Sequence, residues 1–251
     1  MNKQHVIAVI PARYGSTRFP GKMLADIKGK TLIQRSYENA KSCSLLDDVI
    51  VATDNKKIFE SIEAIGGKAV MTSVDCLTGS DRIAEAIRNT PLLGAADIVV
   101  NLQGDHPDIC PKTIEKVVRA LQEDAEAQVA TAVVPISDEA DLTRSSIVKC
   151  VFDRNSHALY FSRALIPSGL TGKKQEGVTY YQHIGIYAFR TPYLLTYTQM
   201  KPTPLQLAED LEQLKVLENG DKIRVVVVET ACIGIDTPED LIKTLRSSHD
   251  Y

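Results

Sequence analysis

The feature that most constrains this chain is the alternation of short apolar runs with segments of helical periodicity. Runs at 5–11, 48–53 and 97–103 read as strands. Between them, apolar residues recur at three- and four-residue spacing. In 31–43, Leu32, Ile33, Ser36, Tyr37 and Ala40 make one face, and Thr31 with Gln34 fits a capping box. In 54–65, Ile58, Phe59, Ile62 and Ile65 line a face, with Asp54 expected as the cap and Gly66-Gly67 as the stop. The segment 80–89 is expected to start at Ser80 and to bury Ile83, Ala84 and Ile87. A further helix follows Pro111, with Ile114, Val117, Val118 and Leu121 inward. A βαβα order of this kind needs crossover connections. It predicts an α/β fold with a mostly parallel central sheet and helices on both faces.

The pattern changes after about residue 134. Residues 146–162 and 178–190 predict longer strands rich in Val, Phe, Tyr and Ile, and 167–178 reads as an exposed loop. A helix is expected over 205–218, with Leu207, Leu211, Leu214 and Leu217 inward and Gly220 past its end, then a strand at 223–229. Thr237-Pro238-Glu239-Asp240 opens a last helix, with a capping hydroxyl, proline at the first helical position and acids in the first turn. The chain shows no repeats and no low-complexity linker. A single domain over 1–251 is therefore expected, with the β-rich stretch around 135–190 inserted as a subunit interface for a homodimer.

Bulk properties exclude some classes. A formal net charge of −3 argues against nucleic acid or an anionic membrane surface as partner. The longest apolar runs, such as 225–228, are too short to span a bilayer. The first residues lack the apolar core of a signal peptide. None of the five cysteines lies in a Cys-x-x-Cys pair, so neither zinc nor a disulfide framework is suggested. A cytoplasmic location is expected.

The stretch 9–24, VIPARYGSTRFPGKML, follows the first apolar run and carries Arg13, Arg18 and Lys22. It fails the P-loop pattern twice: five residues rather than four separate Gly15 from Gly21, and Met23 replaces the magnesium-binding hydroxyl. The dinucleotide-binding G-x-G-x-x-G is absent as well. Yet a loop at the carboxyl end of a first strand faces the crevice where α/β proteins bind ligands. Three clustered cations repel one another unless an anion or acids sit among them. A triphosphate would satisfy them; a solvated basic loop carries the same charges. Asp105 follows the apolar strand 98–102 after the turn Gln103-Gly104, and Asp236 ends an extended segment just before the Thr237 cap. Both fall at the carboxyl edge of a sheet, and magnesium prefers one or two carboxylates plus phosphate oxygens.

The loop IPARYGSTRFPGK resembles the signature of the sugar nucleotidyltransferases, and among them the 3-deoxy-manno-octulosonate (Kdo) cytidylyltransferases of lipopolysaccharide biosynthesis. The resemblance continues in order through VATDN at 51–55, GGKAVMT at 66–72, TGSDR at 78–82, NLQGDHP at 101–107, ALYFSRALIP at 158–167, HIGIYAFR at 183–190, LEQLKVLENG at 211–220 and IDTPEDL at 235–241. It implies a Rossmann-like nucleotide-diphospho-sugar transferase fold with a β-rich dimerisation insertion. The activity implied is transfer of CMP from CTP to Kdo with release of pyrophosphate. Activation of a related acid sugar (8-amino-Kdo or a sialic acid) is the alternative, and a nucleotide-sugar-dependent glycosyltransferase a more distant one.

The resemblance also implies roles. Arg13, Arg18 and Lys22 are the triphosphate cations. Ser80, Arg82 and Gln103 neighbour the base and ribose. Asp105 and Asp236 ligate Mg2+. His183, Tyr187, Glu212 and Gln213 contact the sugar acid, with Arg163 near the same site. Taken singly, His183 and Tyr187 also read as packed aromatics, Glu212 and Gln213 as the wet face of a helix, and Arg82 as a surface helix residue. One departure stands out: His106 takes the place of a glutamate in the usual Gln-Gly-Asp-Glu-Pro.

Overall fold

The structure is a computed structural model that describes residues 3–15, 19–170, 172–231 and 234–247. In chain order its first half holds β1 (Val6–Ala12), a one-turn 3-10 helix (Lys22–Leu24), β2 (Asp26–Ile27), β3 (Lys30–Thr31), α1 (Leu32–Lys41), β4 (Asp48–Thr53), α2 (Lys56–Glu63), β5 (Lys68–Met71), α3 (Gly79–Asn89), α4 (Pro91–Gly94), β6 (Ile98–Asn101) and α5 (Pro111–Glu123). The second half holds β7 (Ala127–Pro135), α6 (Glu139–Leu142), β8 (Lys149–Phe152), β9 (Ala158–Ser162), β10 (Tyr181–Arg190), α7 (Thr191–Tyr197), α8 (Pro204–Glu209), α9 (Leu214–Glu218), β11 (Lys222–Val227) and α10 (Pro238–Ser247). Two compact units result: Met1–Glu115 with Cys232–Tyr251, and Lys116–Ala231.

The first unit is built on parallel strands in the order β5-β4-β1-β6. Its central strands are apolar along nearly their whole length because parallel strands are covered on both faces. Side-chain caps start α1, α2, α3 and α10. Thr31 and Gln34 form the expected box on α1, and Thr78 with Asp81 forms another on α3. Thr237 and Asp240 exchange the same pair of bonds at the start of α10, at 3.2 and 3.0 Å. Ile235 packs with Ile27, Leu32 and Leu241, which fastens the segment before α10 to the first unit's core. Two helix starts differ from expectation. α2 is capped by Asn55, and α3 begins a residue before Ser80. Asp54 is taken instead by a long-range ion pair.

The second unit centres on β7, parallel to β11 and antiparallel to β10. β7 and β5 are strands that the sequence patterns do not pick out. The expected strand over 146–162 is a hairpin, β8 against β9, turning at Ser156 with φ 61°. β10 carries a bulge between Ile184 and Tyr187. The helix expected over 205–218 is two helices, broken at Asp210, whose φ and ψ are 52° and 51°. Among the described residues no helix is long and apolar enough to cross a membrane.

Candidate active site

In the first unit, chemistry-bearing residues follow the carboxyl ends of its four parallel strands. After β1, Arg13 is exposed and Arg18 lies outside the described residues. Tyr14 donates its N–H to Asp54 Oδ1 at 3.2 Å, and Gly21 donates to the Tyr14 carbonyl at 3.2 Å. Gly21 stands at φ 71°, a left-handed conformation that favours glycine, and turns the chain into the 3-10 helix. That helix aims Lys22 inward. Its ammonium lies 2.5 Å from Asp105 Oδ2, 3.1 Å from Asp236 Oδ1 and 3.4 Å from the Ile235 carbonyl. Lys22 is only 8% exposed. The acids that pair with Lys22 therefore come from the chain itself.

Asp105 is held by its backbone. Its carbonyl accepts from Ile235 N–H at 2.9 Å, which ties the two aspartate segments together. Gly104 before it accepts from Ser36 Oγ at 2.7 Å, and a Cβ there would lie 3.1 Å from Met23 Sδ. Two carboxylates converging on one cation position are hard oxygen donors of the kind magnesium takes. The ammonium of Lys22 stands in for a cation there, so the residues fit the metal. Among the described residues no group of three or more His, Cys, Asp and Glu side chains converges as a metal cage. His106 sits with Nε2 3.8 Å from Asp105 Oδ1 and packs so closely on Gly234 that a Cβ there would stand 2.7 Å from the ring. Burial holds its pKa below the usual value, against the pull of Asp105 and Asp236.

Arg82 is not a surface residue. It is 3% exposed, pairs with Asp54 Oδ2 at 2.9 Å, and donates to Thr72 Oγ1 at 2.6 Å and to the Ser73 carbonyl at 3.1 Å. It thereby joins the loops that follow β4 and β5. Ser80 is buried two residues before it, and Gln103 donates to Asn101 Oδ1 at 3.2 Å.

The remaining residues expected at the site lie in the second unit. His183 Nε2 is 3.0 Å from Thr131 Oγ1, and that hydroxyl is 2.7 Å from the Ile186 carbonyl inside the bulge. A carbonyl can only accept, so the hydroxyl donates to it and the imidazole donates to the hydroxyl. His183 is then the neutral Nε2–H tautomer, and burial drives its pKa down to about 3. Its ring meets Phe161 edge-on at 5.0 Å and Tyr187 at 5.4 Å. Burial also raises the Tyr187 phenol well above its usual pKa. Arg163 donates to three carbonyls: Glu209 at 2.7 Å, Asp210 at 3.1 Å and Ser145 at 3.2 Å. Gln213 is buried; Glu212 is exposed, and its carbonyl accepts from Tyr197 Oη at 2.8 Å. Sequence reasoning gives Asp54 a capping role only and gives Thr131 and Lys149 none. Lys149 leaves a signal, as a lysine opening an apolar strand.

A parallel α/β sheet with cations and carboxylates gathered at its carboxyl edge is the arrangement of a nucleotidyltransferase fold. More narrowly, the chain belongs to the cytidylyltransferase family, whose model its residues 7–223 match. It is 53% identical to a 3-deoxy-manno-octulosonate cytidylyltransferase of Protochlamydia amoebophila, over 95% of this chain and 92% of that one. It is 45% identical to the mitochondrial 3-deoxy-manno-octulosonate cytidylyltransferase of Arabidopsis thaliana, over 96% of this chain and 82% of that one. The solved structure of a CMP:2-keto-3-deoxy-manno-octonic acid synthetase complexed with CTP superposes with a TM-score of 0.91 at 39% identity, covering 97% of this chain and 98% of that one.

Proposed function

We propose that this chain transfers CMP from CTP to Kdo, giving CMP-Kdo and pyrophosphate. The observation that carries the reading is Lys22 seated between Asp105 and Asp236, in a chain so similar to Kdo cytidylyltransferases. The anomeric hydroxyl oxygen of the sugar bonds to the α-phosphorus, the bond from that phosphorus to the bridging oxygen of pyrophosphate breaks, and the hydroxyl proton leaves to solvent. Such chemistry asks for positioning and charge neutralisation. Arg13, Arg18 and Lys22 hold the β- and γ-phosphates and meet the charge that builds on pyrophosphate. Ser80 and Gln103 bind the cytidine half, with Arg82 as the buried strut behind them. Arg163, His183, Tyr187, Glu212 and Gln213 bind the sugar acid. Held by Asp105 and Asp236, magnesium would neutralise phosphate charge and ease deprotonation of the hydroxyl.

The stretch around 135–190 is proposed as the interface of a homodimer; Leu159 and Leu170 within it are exposed at 61% and 109%. The free thiols of Cys43, Cys76, Cys110 and Cys150 suit a reducing cytoplasm. A glycosyltransferase would carry an Asp-x-Asp motif after a strand, and at that place this chain has Asp105-His106-Pro107. Pyrophosphate release decides the reading. It should appear with CTP, Mg2+ and Kdo, and be much weaker with a sialic acid or with ATP. Equal rates with the other sugars or with ATP would refute the substrate assignment.

A further inference from the structure

Lys149 is 0% exposed, at the start of β8. Its ammonium lies 2.6 Å from the Ile147 carbonyl, 2.7 Å from the Arg163 carbonyl and 2.9 Å from the Arg144 carbonyl. Three acceptors for three N–H donors is a full set. Burying a charge is costly even when it is hydrogen-bonded, and an apolar side chain of similar length would fill the same space without that cost. What the ammonium adds is geometry: it fixes where three carbonyls, and hence three stretches of backbone, lie.

Those stretches lead to the proposed sugar-acid residues. Pinning the Arg163 carbonyl orients that residue, whose guanidinium then bonds the Glu209 and Asp210 carbonyls. Glu209 answers with its carboxylate, accepting from Ser162 Oγ at 2.6 Å and from Arg163 N–H at 2.9 Å. This closes around the left-handed break at Asp210, two residues before Glu212. On the other side, the Val148 carbonyl accepts from His183 N–H at 2.8 Å, and Lys149 pairs with Gln182 across β8 and β10. Three of the five N–H donors of Arg163 bond the Ser145, Glu209 and Asp210 carbonyls, and the Asp210 carboxylate lies 3.6 Å from Nη2; a carboxylate ligand could compete with it for the others.

We infer that Lys149 is a positioning residue for the acid-sugar half of the reaction, setting Arg163, the Asp210 break and the start of β10 without touching substrate. The inference rests on the proposed function. Steady-state kinetics on wild type, Lys149→Met, Lys149→Gln, Arg163→Lys and the double variant Lys149→Met/Arg163→Lys test it. Lys149→Met should raise KM for Kdo roughly tenfold, the scale of one well-made hydrogen bond, and leave KM for CTP within about twofold. Lys149→Gln, which keeps two N–H donors, should recover part of the loss. If Lys149 acts through Arg163, the double variant should be no worse on KM for Kdo than the poorer single variant. Equal rises in both KM values, an unchanged KM for Kdo, or additive effects would overturn the inference. So would failure of both Lys149 variants to fold by circular dichroism, since Lys149 would then serve stability alone. A folded wild type that releases no pyrophosphate from CTP and Kdo would bring down the functional reading itself, an outcome read before any variant is compared.

Discussion

At the scale of single residues, Lys22 has two sets of possible partners. Without ligands it neutralises Asp105 and Asp236. With a triphosphate and a divalent cation present, the same carboxylates can pass to the metal and the ammonium to the phosphates. Asp105→Asn or Asp236→Asn should therefore lower kcat by about two orders of magnitude or more, because a hard-cation site loses an anionic ligand. The fold should survive, since Lys22 keeps its other carboxylate. Near-normal turnover at modest Mg2+ in either variant would remove the metal assignment. Lys22→Ala should lower kcat more than it raises KM for CTP, by the equivalent of roughly 2–4 kcal/mol, because the charge it meets is largest in the transition state. The same variant should bind Mn2+ more tightly than wild type when nucleotide is absent, since the ammonium and the metal compete for the same oxygens. Calorimetric titration with Mn2+ checks this, and unchanged affinity would show that Lys22 does not occupy the metal's place.

At the scale of elements, glycines set how closely helices approach the loops. A Cβ on Gly67 would stand 2.7 Å from Ile62 Cγ2 and 3.0 Å from the Ile62 carbonyl, away from the site. A Cβ on Gly104 would stand 3.1 Å from Met23 Sδ and 3.3 Å from Ile33 Cδ1, between the residues that follow Lys22 and precede Asp105. Overpacking costs about 1–3 kcal/mol, a fall in Tm of several degrees in a chain of this size. Both alanine variants should melt lower, but only Gly104→Ala should also lose kcat. Loss of kcat in Gly67→Ala, measured well below its Tm, would contradict this division. Elements whose cause is local were legible in the sequence: the box of Thr31 and Gln34, the start at Thr237, the apolar runs of β1, β4 and β6. Those with distant causes were not. The break at Asp210 depends on Arg163, 47 residues away, and Asp54 is drawn from capping α2 by Arg82, 28 residues on. The pairing of Lys22 spans 83 and 214 residues, so its loop reads from sequence only as a place that needs negative charge. β7 escaped because its run, apolar but for Gln128 and Thr131, does not alternate and so gives no period to tell strand from helix.

At the scale of the whole molecule, two half-buried histidines set how stability responds to acid. His183 has its pKa lowered from 6.5 to about 3 by burial, and burial lowers His106 in the same direction. The unfolded chain takes up these protons as pH falls through 6.5, and the folded chain takes them up only at lower pH. Their contribution to stability is thus fully present above about pH 6.5 and is lost progressively as pH falls toward the folded pKa. Asp47 and Glu85, whose folded pKa values are lowered by hydrogen bonds led by those from Lys3 and Cys76, act in the same sense but only below about pH 4.5. Between pH 6.5 and 5 the histidine effect therefore stands apart. A single site of this kind contributes a slope of up to about 1.4 kcal/mol per pH unit. Urea unfolding of wild type across that range should show stability falling with acidification, and His183→Gln, which keeps an N–H donor for Thr131, should show a slope smaller by up to that amount. Identical slopes in the two proteins would mean that His183 takes up its proton in the folded state as readily as in the unfolded one, against its bond to Thr131 and its packing on Phe161 and Tyr187.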